Sequence, residues 1–374
     1  MKVSIVTKGL APYRLDFYRE MGRFGWQVQL FVPQIGASDH PWSMLDEDKG
    51  ERRFFIHVIS SANKLGERWV WLFRKIGFGG SRSAGFSNEL FQALRHADPD
   101  ALLVHEASPF CLGAIIWARL KGKPVWFSSD IGRGSPPHAC GFGVKLVHTL
   151  VSFLVQLRIA NAPPARNGFG RKVKTIFAPH ASLLARTKIG EHDERGEGKA
   201  VPVLLFVGHV SLAKGVDILL RSVASLSPEV AYKVRIVGTI VDEELVGLAN
   251  ELGLQERVVF TGFKEGEDLA LEYSQADIFG FPTRYDTYGV VVHEAASFEL
   301  PLLVSEKAGA VIPLVEDGIS GFCIEDGNVE DFAEKIESLL LDRSLREKLG
   351  KGAKILSEEF GVTAGVEKLS VAVS

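Results

Sequence analysis

One rhythm constrains this chain more than any other feature. Short apolar runs alternate with helical stretches, once in each half of the sequence. In the C-terminal half, VLLFVG (203–208), YKVRIVG (232–238), VVFTG (258–262), DIFGFP (277–282) and PLLVS (301–305) read as strands. Between them, GVDILLRSVASL (215–226), DEELVGLANELG (242–253), EDLALEYSQA (267–276) and VVVHEAASF (290–298) read as helices, and the chain from about 328 reads as helical. Strands that are apolar on both faces and separated by helices belong to parallel sheets covered on both sides.

The N-terminal half repeats the pattern. Strands are expected at VSIVT (3–7), WQVQLFVP (26–33), ALLVHE (101–106) and PVWFSS (124–129), with helices at 14–24, 88–99 and 111–122. Residues 37–85 give no clear pattern, and GFGGSRSAG (77–85) reads as a loop. A charged stretch without apolar periodicity, TKIGEHDERGEGKAV (187–201), marks a linker. The fold class expected is therefore α/β: two doubly wound, Rossmann-like domains with parallel sheets facing a central cleft. Their ligands should lie beyond the carboxyl ends of the strands.

Length and charge agree with this. At 374 residues the chain exceeds the size at which a single core usually stops growing. A net charge of -3 offers no basic field for nucleic acid. The three cysteines, Cys111, Cys140 and Cys323, are far apart and form no CxxC pair, so neither a disulfide framework nor a zinc site is expected. No transmembrane helix is expected, and the location read from these features is cytoplasmic. Residues 144–160, VKLVHTLVSFLVQLRIA, read as a buried helix. The alternative is a helix on the inner face of a membrane, giving peripheral contact.

Chemistry-bearing residues follow the strands. In FVGHVSLAKG (206–215), a strand ends at Gly208, and Lys214 stands where a helix opens. A helix N-terminus attracts anions, and a lysine beside it adds a point charge for phosphate. A plain loop with a solvated lysine would look the same, and the GxxxxGK[ST] loop does not match. In PTRYDTYGVVVHEA (282–295), a polar loop carries Asp286, and Gly289 opens an apolar helix containing Glu294. Amides from Gly289 through Val290 to Val291 suit a phosphate, and the acids suit sugar hydroxyls. The bland alternative makes Asp286 a capping acid and Glu294 a solvated one. Yet a glutamate in so apolar a helix needs a partner, which a ligand would supply. Gly238 and the Gly262-Phe263 pair end two further strands. In the first half Lys8-Gly9, Arg14, His105-Glu106, Asp130 and His180 stand at strand ends, Asp130 directly after one.

Over about 201–345 these residues resemble glycosyltransferase family 4, the retaining GT-B transferases. The resemblance rests on Gly208-His209-VSLA-Lys214-Gly215, on Asp286-TYGVVVH-Glu294 enclosing Tyr288-Gly289, on Thr261-Gly262-Phe263, and on Ala276-Asp277-Ile278-Phe279. It is weaker in the first half, where Ala11-Pro12-Tyr13-Arg14 resembles the first loop of some bacterial members. The resemblance implies an acceptor-binding domain over 1–190, a donor-binding domain over 200–355, and a C-terminal helix, 356–374, packing back on the first domain. It implies that Lys214 holds the donor diphosphate, beside Gly208 and with His209 in the place of an arginine. Glu294 would bind the ribose, Asp286 the transferred sugar, and Gly289, Val290 and Val291 the phosphates. Phe263 would lie near the base, as the backbone at Gly238 can by its place at a strand end, and Asp130 where many members carry a histidine facing the sugar. No metal and no cofactor are implied beyond the donor, a UDP- or GDP-sugar. The acceptor would be a glycan or lipid-linked molecule in bacterial surface polysaccharide assembly.

The rival readings are a nucleotide-sugar epimerase, for which no acid/base set is visible, and a nucleotide-sugar-binding protein or inactive partner subunit. His209 in place of arginine and Asp286 in place of glutamate keep the latter open. A nicotinamide-dependent oxidoreductase would need GxGxxG after the first strand, which is missing.

Overall fold

The computed structural model describes residues 1–7, 12–33, 54–59, 88–105, 109–129, 149–161, 173–179, 181–186 and 201–374. They fall into two compact units. The first takes the residues up to Pro179 together with Gly365–Ser374, and the second takes Ala181–Ala364.

Among the described residues the first unit has seven strands: β1 (Lys2–Thr7), β2 (Gln27–Pro33), β3 (Phe54–Ile59), β4 (Ala101–His105), β5 (Val125–Ser129), β6 (Leu157–Ala160) and β7 (Lys174–Phe177). All pairs are parallel, in the order β3-β2-β1-β4-β5-β6-β7. Helices α1 (Pro12–Arg23), α2 (Asn88–Ala97) and α3 (Pro109–Leu120) connect them. A core of Phe31, Leu90, Leu94, Val104, Phe110, Ile115 and Phe127 forms between α2, α3 and the sheet.

The second unit has six strands: β8 (Val203–Val207), β9 (Lys233–Val237), β10 (Val258–Gly262), β11 (Ile278–Phe281), β12 (Leu302–Ser305) and β13 (Gly321–Ile324). They too are all parallel, in the order β10-β9-β8-β11-β12-β13. Helices α4 (Val216–Ala224), α5 (Glu244–Glu251), α6 (Gly266–Gln275) and α7 (Val290–Ser297) cross between strands, and α8 (Val329–Leu341), α9 (Arg343–Glu359) and α10 (Val362–Val373) follow. Local chemistry sets the helix starts. Asn328 caps α8 by accepting from Asp331 N at 2.9 Å, and Asp342 caps α9 by accepting from Leu345 N at 2.9 Å. Phe206, Phe279, Phe281 and Phe332 are fully buried in this unit, each side chain contributing roughly 1.5–3 kcal/mol.

The chain leaves β8 outward through β9 to β10, then returns to β11 on the other side of β8. A crevice opens at such a reversal, beyond the carboxyl ends of β8 and β11.

Residues 144–160 are not one helix. Their described part turns from helix at 149–152 into the buried strand β6 at Leu157–Ala160. The turn is set at Gln156, whose amide donates to Val125 O at 3.0 Å and whose Oε1 accepts from Val125 N at 2.7 Å. Leu150 and Phe153 are exposed. Among the described residues no helix is long and apolar enough to cross a membrane.

Candidate nucleotide-sugar site

Two loops meet where the second sheet reverses. After β8 the chain passes Gly208 and His209 into a turn, Leu212–Lys214, capped by Ser211. After β11 it passes Pro282 to Tyr288 into α7. Arg284 N donates to Ala213 O at 3.0 Å, and the Thr283 hydroxyl donates to Ala213 O at 3.3 Å and to Tyr285 O at 2.9 Å. The Arg284 guanidinium forks onto Asp217 at 2.7 and 2.8 Å and also reaches the Leu212 carbonyl. The loop after β9 joins through Asp242, whose carboxylate accepts from Leu212 N at 2.8 Å.

Two glycines make this convergence possible. Gly215 has φ 72°, and a Cβ there would stand 1.8 Å from Pro282 O. Gly238 has φ 148°, and a Cβ there would stand 1.8 Å from Gly208 O. Only glycine tolerates both the conformation and the approach.

The loops place charge at the crevice. Lys214 Nζ donates to Asp286 Oδ2 at 2.6 Å, and Asp286 Oδ1 accepts from Tyr288 N at 3.1 Å. Asp286 thus caps its own loop two residues on, while the N-cap of α7 is Gly289, which has no side chain to offer. Both side chains of the ion pair keep about a fifth of their surface exposed, 22% and 21%. Lys214 Nζ also lies 5.8 Å from the centroid of the Phe281 ring. That ring packs beneath the backbones of Gly208 and Gly289.

Glu294 is half-buried on α7. The sequence left its partner to a ligand. The structure supplies one from the protein, since Tyr273 on α6 donates its hydroxyl to Glu294 Oε2 at 2.9 Å. Burial, and then the Glu294 charge, pushes the Tyr273 phenol well above its ordinary range, so it remains a donor.

The structure therefore brings Gly208, Lys214, Asp286, Gly289 and the first turn of α7 together at the reversal point. Val290 and Val291, in that turn, are half-buried. His209 and Phe263 are exposed, and Gly238 locks the β9 loop to the β8 loop. Asp130, Lys8, Gly9, Glu106 and His180 lie outside the described residues. Arg14 and His105 are buried in the first unit, where Tyr18 Oη lies 3.4 Å from His105 Nδ1. No group of three or more potential metal ligands occurs among the described residues.

One neighbour of the site sets an acid limit on stability. His293 is buried, with Nε2 2.9 Å from Ser357 O on α9, so Nε2 carries the proton. Burial lowers its pKa from 6.5 to about 4, and the Ser357 bond works weakly the other way. The unfolded chain therefore binds one more proton between these values. This contribution is complete above pH 6.5 and is lost as pH falls toward 4, by at most about 3 kcal/mol. Urea midpoints should drop through this window, and His293→Gln should flatten the profile. An equally steep profile in the variant would refute the assignment.

The chain is similar to known proteins in sequence and in fold. Residues 188–355 match the family model for glycosyl transferases group 1. Over these residues the chain is similar to group 1 glycosyl transferases. The sulfoquinovosyl transferase SQD2 of Arabidopsis thaliana is 26% identical over 309 residues, covering 77% of this chain and 59% of the plant protein. The D-inositol 3-phosphate glycosyltransferase of Stackebrandtia nassauensis is 32% identical over 189 residues, covering 48% of this chain and 41% of that protein. The matches thus span about half the length of these relatives. HepE of Anabaena, solved in complex with UDP, superposes with a TM-score of 0.75 at 18% identity, over 100% of this chain and 99% of its own. The chain thus has the GT-B fold.

Proposed function

We propose that this protein is a group 1 glycosyltransferase that moves a sugar from a nucleoside-diphosphate donor to a hydroxyl acceptor. The observation that carries this reading is the juxtaposition of Lys214, Asp286 and the N-terminal turn of α7 at the sheet reversal. There the bond between the anomeric carbon and the phosphate oxygen breaks and the leaving diphosphate gains charge. Lys214 and the first amides of α7 stabilise that charge. Asp286 faces the sugar and Glu294 the ribose hydroxyls. The acceptor oxygen forms the new bond, and its proton passes to the leaving phosphate.

We read the transfer as retaining and metal-independent, because a lysine and a helix terminus can offset the diphosphate charge. The UDP bound by HepE favours a uridine donor. We read the acceptor as a glycan or a lipid-linked molecule, and exposed Leu150 and Phe153 support peripheral contact with a membrane.

A thermal-shift series with UDP, GDP, ADP, dTDP and CMP and their sugars, with and without EDTA, tests this. One nucleotide class should stabilise the protein, and its sugar should turn over, both unaffected by EDTA. Stabilisation without turnover on any acceptor would favour the nucleotide-sugar-binding protein. No shift by any nucleotide would end both readings.

A further inference from the structure

We infer that Tyr273 is a positioning residue that sets how Glu294 holds the donor's ribose; this rests on the ribose reading of Glu294. The ring of Tyr273 is fully buried, stacked on Phe298 at 5.4 Å and tilted against Phe279 at 6.1 Å. A phenylalanine would serve that packing as well, and a buried hydroxyl costs free energy unless it is bonded. Both acceptors of this hydroxyl are on α7: Glu294 Oε2 at 2.9 Å and Val291 O at 3.4 Å. The Val291 carbonyl already stands in the helical ladder, so the carboxylate is the stronger acceptor. One hydroxyl therefore touches both the acid assigned to ribose and the helical turn assigned to phosphate.

The neighbouring residue makes the support rigid. Glu272, just before Tyr273 on α6, is buried at 2% exposure. It accepts from Arg235 Nε and from a second guanidinium nitrogen, each at 2.5 Å, and from Lys264. Burial opposes its charged form, yet these bonds and charges hold its carboxyl below the usual range. Arg235 belongs to β9 and Lys264 to the loop leaving β10. The ion cluster thus pins α6 to the sheet at one residue, and the next residue fixes Glu294. A free glutamate loses considerable side-chain freedom when it binds. Tyr273 removes part of that cost before the nucleotide arrives.

The test compares Tyr273→Phe, Glu294→Gln and Lys214→Ala with the wild type. Kd values for UDP, GDP and ADP are measured by calorimetry alongside those for dUDP, dGDP and dADP. Thermal melts confirm cooperative folding of each variant. In the wild type, loss of the 2′-hydroxyl should weaken binding about tenfold, as expected for a hydrogen bond to a charged group. Tyr273→Phe should shrink that penalty to about threefold or less, while Lys214→Ala should weaken ribo- and deoxyribonucleotides equally. An undiminished penalty in Tyr273→Phe, with the penalty abolished in Glu294→Gln, would overturn the role of Tyr273 and leave the ribose reading standing. A penalty that survives Glu294→Gln, or is missing from the wild type, would overturn both.

Discussion

Replacing Lys214 by alanine should lower kcat/KM for the donor sugar by at least a hundredfold and weaken nucleoside-diphosphate binding about tenfold or more. Two effects act together. The ammonium that meets the diphosphate is lost, and a charge-assisted contact of this kind is worth about 1.5–3 kcal/mol in the ground state. Removing a donor aimed at charge that develops in the transition state typically costs 10²–10³ in rate. The second effect is specific to this site. Lys214 Nζ now holds the Asp286 carboxylate at 2.6 Å, and without it that carboxylate faces the incoming phosphates uncompensated. Lys214→Ala combined with Asp286→Asn should therefore bind the nucleotide better than Lys214→Ala alone. Unchanged affinity in the single variant, measured by calorimetry on a cooperatively melting protein, would remove Lys214 from the diphosphate site.

The second large effect concerns the backbone. Gly215→Ala would put a methyl group 1.8 Å from Pro282 O, at a residue with φ 72°. Neither contact partner is the end of a flexible side chain, so one loop has to move. The φ alone costs roughly 1–2 kcal/mol, and separating the loops breaks the Arg284 N to Ala213 O bond and disturbs the Lys214–Asp286 pair. The expected result is a fall of several degrees in melting temperature, with nucleotide binding lost even where the protein remains folded. Gly318→Ala is the control. Its φ of 75° is similar, but nothing lies within 4 Å of the added Cβ. If both variants melt and bind alike, close approach at Gly215 is not what matters.

Much of this architecture was legible in the sequence, for a reason that also explains the gaps. β8, β11 and β12 are buried in the middle of the sheet, so their residues are almost all apolar and run into glycine, proline or serine, and β9 keeps buried valines and isoleucine between Lys233 and Arg235. β3, β7 and β13 lie at sheet edges among the described residues, with a strand partner on one side. FFIHVI, KTIF and GFCI accordingly carry little periodic signal. β6 failed differently. LRIA continues the apolar run of a preceding helix without glycine or proline, and a short apolar run does not distinguish helix from strand.

At the site, Lys214, Asp286 and Gly289 were visible because each follows a strand or opens a helix, and Glu294 because it is an acid inside an otherwise apolar helix. Their partners were not. Lys214 and Asp286 are 72 residues apart, and only the strand order β8-β11 makes them neighbours. Tyr273 looks like any core aromatic on a helix, and nothing in the sequence pairs Arg284 with Asp217, 67 residues away. Short-range pattern identifies what a residue can do, whereas long-range topology decides what occupies it.

The first unit is closed by Gly365–Ser374, which follow the second unit in sequence. Lys174 Nζ donates to Ala372 O at 2.8 Å, and Gly365 packs on Phe17 and Ala178. A ribosome making this protein completes the second unit before it delivers those residues. At ~5–20 residues per second, the surface under α10 waits about 10 to 40 seconds for its cover. The order of synthesis is thus the reverse of the order of completion, and the half that begins first is finished last.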